Sequence, residues 1–184
     1  PAGTTTPRDL SGAMTSEAQC MTCGNGTFCP VGSANATRCA AGTYNPFEEQ
    51  EKCTKCQAGT YQDEEGATDC KPCTDGYYCA EGAAAALPCP AGKRKDASLT
   101  VMDSESDCII CPEGTFCPVG SADAQPCAPG TYNAQPQQET CAKCAAGSVQ
   151  ALESQTASDE GSEGCEGRGT VAGGEGPRMH HNKS

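Results

Sequence analysis

Residues 53–73 read CTKCQAGTYQDEEGATDCKPC, two C-x-x-C pairs separated by thirteen residues. Four cysteines so spaced can ligate zinc, run thiol–disulfide exchange, or close covalent loops. The stretch carries its own clue, because Cys56 and Cys73 each open the phrase C-x-x-G. That phrase also starts at Cys23, Cys39, Cys89, Cys111, Cys127 and Cys144, eight times in all. Its glycines are Gly26, Gly42, Gly59, Gly76, Gly92, Gly114, Gly130 and Gly147. After the glycine comes most often Thr and an aromatic, with GKR at 92–94 and GSV at 147–149 as the exceptions.

The repeat has a second level. Residues 23–62 laid over 111–150 without gaps are identical at 25 of 40 positions. If each opening cysteine is closed by the next cysteine in the chain, the pairs are Cys23–Cys29, Cys39–Cys53, Cys56–Cys70, Cys73–Cys79, Cys89–Cys108, Cys111–Cys117, Cys127–Cys141 and Cys144–Cys165. Sixteen cysteines are then assigned. Cys20 is left over where a closing cysteine belongs, its partner expected upstream of Pro1. A crossed pattern, such as 23–39 with 29–53, stays open, since sequence does not fix connectivity. In this scheme a C-x-x-C is a junction, the end of one loop and the start of the next.

Composition points the same way. Leu, Ile, Val and Phe together number 14 in 184 residues, there is no Trp, and the net charge is −12. So little apolar surface does not offset the entropy of ordering the chain, and without cross-links this composition reads as disordered. The 17 cysteines supply the cross-links. The acid excess argues against nucleic acid and anionic membranes as partners. No apolar run approaches the 18 or so residues of a membrane span, and the chain starts at Pro1, as a fragment or processed product does.

The expected fold is small and disulfide-rich: an elongated tandem array of short β-hairpin modules with little helix and disordered ends. Glycine suits a turn of positive φ, and Thr with an aromatic favours a short strand whose ring covers a sulfur pair. Residues 1–19 read as a linker or a truncated preceding module. Cysteine-rich repeats follow at 20–72, 73–110 and 111–147, the last extending to 165 if its loop closes there. Residues 148–184 read as a disordered acidic, Gly-rich tail.

The phrases GTFCPVGS, CAAGTYN, CTKCQAGTYQ and CTDGYYC resemble the ephrin type-A/B receptor-like cysteine-rich repeat, a relative of the tumour necrosis factor receptor and growth-factor-receptor modules. The resemblance covers residues 20–147. It implies an extracellular or cell-surface array with a protein or glycan ligand, and no kinase, because no part of this chain resembles one.

The expected function is therefore a non-catalytic spacer, adhesion or ligand-binding segment of a secreted or receptor-like protein. It needs no cofactor. The alternative is an intracellular zinc-binding C-x-x-C array with Cys53, Cys56, Cys70 and Cys73 as ligands. Zinc requires none of the other cysteines at fixed offsets, whereas the repeat accounts for them. A redox role needs a helix start beside a βαβ unit, and nothing here provides it. His180 and His181 stand together in the tail as solvated residues, and the acidic runs 48–49 and 63–65 read as solvated loop faces without a calcium-loop phrase. Sequons mark Asn25 (NGT), Asn35 (NAT) and Asn182 (NKS), with Asn35 preferred because Asn25 lies in a tight loop. Tyr44, Tyr61, Tyr77, Tyr78 and Tyr132 are contact candidates for a partner, with packing on the disulfides as the plainer role.

Overall fold

The computed structural model describes residues 1–6, 19–146, 148–149 and 165–167. Among these residues the chain is a succession of nine two-stranded antiparallel sheets, each a hairpin of neighbouring strands. They are β1 (Thr4–Thr5) with β2 (Met21–Thr22), β3 (Thr27–Phe28) with β4 (Thr37–Arg38), and β5 (Thr43–Tyr44) with β6 (Thr54–Lys55). Next come β7 (Thr60–Tyr61) with β8 (Lys71–Pro72), β9 (Tyr77–Tyr78) with β10 (Leu87–Pro88), and β11 (Lys93–Lys95) with β12 (Cys108–Ile110). The last three are β13 (Thr115–Phe116) with β14 (Gln125–Pro126), β15 (Thr131–Tyr132) with β16 (Ala142–Lys143), and β17 (Ser148–Val149) with β18 (Glu166–Gly167). From β3 on, each first strand starts just after the glycine of a C-x-x-G, and from β2 through β16 each second strand ends just before the next opening cysteine. A 3-10 turn lies at Glu105–Asp107, where the Asp107 carboxylate accepts from the N–H groups of Asp103 (2.8 Å) and Ser104 (3.1 Å).

The local chemistry explains the phrase. In the Cys39 module, Thr43 donates both its N–H (3.0 Å) and its hydroxyl (2.7 Å) to the carbonyl of Ala40, which closes the turn over the glycine. Thr27, Thr60, Thr115 and Thr131 repeat the double bond. Threonine thus locks the turn as well as favouring the strand. Gly42 needs to be glycine for two reasons. Its φ is +81°, and a Cβ there would collide with the carbonyl oxygen of Gly82, two modules further on.

Consecutive modules are tied by backbone. Between the Cys39 and Cys56 modules the bonds run Cys56 N to Gly42 O (2.9 Å), Gly42 N to Gln62 O (2.7 Å), Asn45 N to Ala67 O (3.0 Å) and Gly66 N to Cys39 O (2.8 Å). The same four recur from Cys23 to Cys39, from Cys56 to Cys73, from Cys89 to Cys111 and from Cys111 to Cys127. The loop of each hairpin folds back on the hairpin before it, so the ladder runs on from module to module. Backbone groups that two-residue strands leave open find partners this way.

Each opening cysteine is bonded to the next cysteine in the chain: Cys23–Cys29, Cys39–Cys53, Cys56–Cys70, Cys73–Cys79, Cys89–Cys108, Cys111–Cys117, Cys127–Cys141 and Cys144–Cys165. Cys20 is free and half-buried. The core is sulfur, since the buried hydrophobic residues among those described are ten cysteines and Met102. The GKR module, with its 18-residue loop, keeps the common form. Met102 from that loop packs with Cys89, Cys108 and Tyr78.

Residues 1–6, which the sequence offered as linker or truncated module, carry the module's first half. Gly3 has φ +78°, and its carbonyl accepts from Cys23 N at 2.9 Å, as Gly42 does from Cys56. The stretch 7–18 and most of 148–184, including His180, His181 and Asn182, lie outside the described residues.

Three positions carry buried amides that sequence reasoning passed over. Three residues after the glycine, the modules opened by Cys23, Cys73 and Cys111 place a closing cysteine, but those opened by Cys39, Cys56 and Cys127 place Asn45, Gln62 and Asn133, all buried. Asn45 Nδ2 donates to Thr27 O (2.8 Å), and Asn133 Nδ2 to Thr115 O (2.8 Å), each reaching into the preceding module. The signal was available: Asn stands at this position in both copies of the longer repeat. Asn45→Ala strands the Thr27 carbonyl and is expected to cost about 1–3 kcal/mol, with amide exchange accelerated at the Cys23–Cys39 junction.

Candidate functional site

The four-bond ladder thins at one place between Cys23 and Cys127. At the junction of the Cys73 and Cys89 modules, Cys89 N donates to Gly76 O (2.9 Å) and Cys79 N to Met102 O (3.0 Å), and the other two bonds are not made. The cause is the long loop of the Cys89 module. It passes Val101 over Gly59 and buries Met102, and so leaves the regular path.

A cleft lies at this place, lined by Ala58, Thr74, Asp75, Tyr77, Lys95 and Val101 among others. Lys95 Nζ is paired with Asp75 Oδ1 at 2.5 Å across the junction. Tyr77 supplies a half-buried ring, and Val101, half-exposed, an apolar edge. The arrangement offers an aromatic face, an apolar rim and one ion pair. It has the contents of a recognition surface and no nucleophile–base pair.

The other contact candidates are spread along the array. Tyr44, Tyr61, Tyr78 and Tyr132 are half-buried, and Tyr78 packs against the cluster of Cys89, Met102 and Cys108. Among the described residues the most solvent-facing large apolar side chains are Val31, Phe47, Met21 and Val119, at 73, 69, 58 and 58% exposure, and the two valines hold the same place in the two copies of the repeat. Cys53, Cys56, Cys70 and Cys73, the four sulfurs of the zinc reading, are all in disulfides here, and not with one another except for Cys56–Cys70.

The acidic run at 63–65 is tethered to its own hairpin. Lys71 Nζ bonds Asp63 Oδ1 at 2.6 Å and lies 3.5 Å from Glu64 Oε1. The hydrogen bond from Lys71 holds the Asp63 carboxyl below the ordinary aspartate value. A lowered carboxyl favours the folded hairpin above the ordinary aspartate range, and that contribution is lost as pH falls through the lowered value. Carboxyl NMR titration is expected to find the Asp63 midpoint below that of a free aspartate. Lys71→Met is expected to raise it toward the ordinary value.

Residues 42–86 match the family described as tyrosine-protein kinase ephrin type A/B receptor-like. The matched span begins at the turn glycine of the Cys39 module and runs through the Cys56 and Cys73 modules. Over that span the chain is similar to the ephrin receptor-like cysteine-rich repeat. No curated protein matches the chain. With its disulfides, the ephrin receptor-like repeat is a module of extracellular type. Among the described residues no helix is long and apolar enough to cross a membrane.

Proposed function

We propose that this ephrin receptor-like array is a non-catalytic extracellular spacer that holds its loops at fixed intervals. The observation that carries the reading is the backbone ladder that ties each module to the next and continues beyond the matched segment in both directions. A solenoid of this kind has nearest-neighbour stability and needs no shared core, so length is set by module number. Disulfides inside each module keep the unit closed under load. The test is small-angle scattering on the secreted chain and on a variant lacking residues 39–72, which removes two modules in register. The spacer reading expects a stiff rod in both, shortened in proportion. A flexible-chain profile in either overturns it.

Ligand presentation is a second reading, favoured by the cleft at the thinned junction. Tyr77→Ala is expected to abolish binding in a screen against extracellular proteins while leaving the rod profile unchanged. Hits that survive the substitution place recognition elsewhere.

A further inference from the structure

The two copies of the longer repeat are identical over GTFCPVGSA, at 26–34 and at 114–122, and differ at two of the next three residues. The first continues Asn35-Ala36-Thr37, the second Asp123-Ala124-Gln125. Only the first is an acceptor sequence for N-linked glycan. A second such sequence, Asn25-Gly26-Thr27, lies ten residues earlier. The two differ in how the chain is closed around them.

Asn25 sits inside the Cys23–Cys29 ring, whose sequence separation is 6. Small rings close at the least entropic cost, so this one competes early with any enzyme that needs the extended chain. Once closed, the segment has no freedom. Thr27 gives its N–H (3.2 Å) and hydroxyl (2.6 Å) to Gly24 O, and Gly26 gives its N–H to Asn45 O (2.9 Å) and accepts from Cys39 N (2.9 Å). The threonine that completes the acceptor sequence is thereby engaged in the turn.

Asn35 lies between the closing Cys29 and the opening Cys39, outside every disulfide ring. Its side chain is exposed, and Thr37 is exposed on β4. The ladder passes on either side: Thr6 N donates to Ser33 O (3.2 Å), and Thr37 pairs with Phe28. Asn35 thus offers an exposed attachment point between two rings.

We infer that Asn35 is a site of N-linked glycosylation and that Asn25 is not, so that one copy of the repeat is sugar-bearing and the other bare. The inference rests on the extracellular reading. The test uses the full chain carrying Asn182→Gln, secreted from eukaryotic cells, with enzymatic deglycosylation in heavy-oxygen water and peptide mass spectrometry. The expected result is a single glycan at Asn35, lost in Asn35→Gln and Thr37→Ala, kept in Thr37→Ser and in Asn25→Gln. A secreted chain with its disulfides formed but Asn35 unmodified, or with the glycan at Asn25, overturns the inference and leaves the extracellular reading standing. A chain that passes the secretory pathway with its thiols reduced overturns both.

Discussion

Reduction of the eight disulfides without denaturant is expected to abolish the hairpins along the described length of the chain. The reason is what remains when the sulfur links are cut. Among the described residues the buried hydrophobic ones are ten cysteines and one methionine, so no second core is present there to hold a reduced state. Each link contributes about 2–4 kcal/mol in the loop-entropy account, and eight together are on the order of 20 kcal/mol. That exceeds the roughly 5–15 kcal/mol by which ordinary domains are stable. Reduced protein is therefore expected to show collapsed amide dispersion and a coil spectrum by circular dichroism. Retention of the hairpin signals after complete reduction contradicts the account of a sulfur core.

Gly42→Ala is expected to be among the most damaging single substitutions outside the cysteines. Two costs combine there. An L-residue at φ +81° pays about 1–2 kcal/mol for the left-handed region alone. The new Cβ also meets the backbone oxygen of Gly82, which cannot move without breaking its N–H bond to Cys56 O. The expected total is about 3 kcal/mol or more. Gly32→Ala separates the two terms, because φ there is +83° but nothing lies within 4 Å of the added Cβ. It should show the conformational cost only. Amide exchange reads both, and in a nearest-neighbour array the loss of protection in Gly42→Ala should centre on the Cys39, Cys56 and Cys73 modules, with Gln138 and its neighbours unaffected. Equal effects of the two substitutions contradict the packing argument.

What the sequence disclosed and what it hid divide along physical lines. Cysteine and turn glycine are chemically specific, so their spacing displays the hairpin units and the family likeness found at 42–86. The ladder has no such signature. Its bonds join backbone to backbone, and the sole trace is that glycine recurs where a neighbouring carbonyl approaches, as at Gly42. Asn45 and Asn133 looked like part of the strand phrase TYN, although their identical placement in both copies and the cysteine at the same offset in other modules pointed to a structural role. The cleft depends on where an 18-residue loop settles, and that is decided by Val101 and Met102 meeting surfaces far away in sequence. Threonine's second role, closing the turn through its hydroxyl, was masked by its general preference for strands.

The spacer reading, the stability argument and the glycan inference all stand on the chain being stapled module by module. Thiol counting with non-reducing peptide mapping on the secreted protein tests this most directly. The account predicts one reactive thiol, at Cys20, and internally linked peptides joining 39 to 53, 56 to 70 and 127 to 141. Crossed links such as 23 to 39 with 29 to 53, or free thiols that hold zinc at about one ion per four cysteines, contradict it.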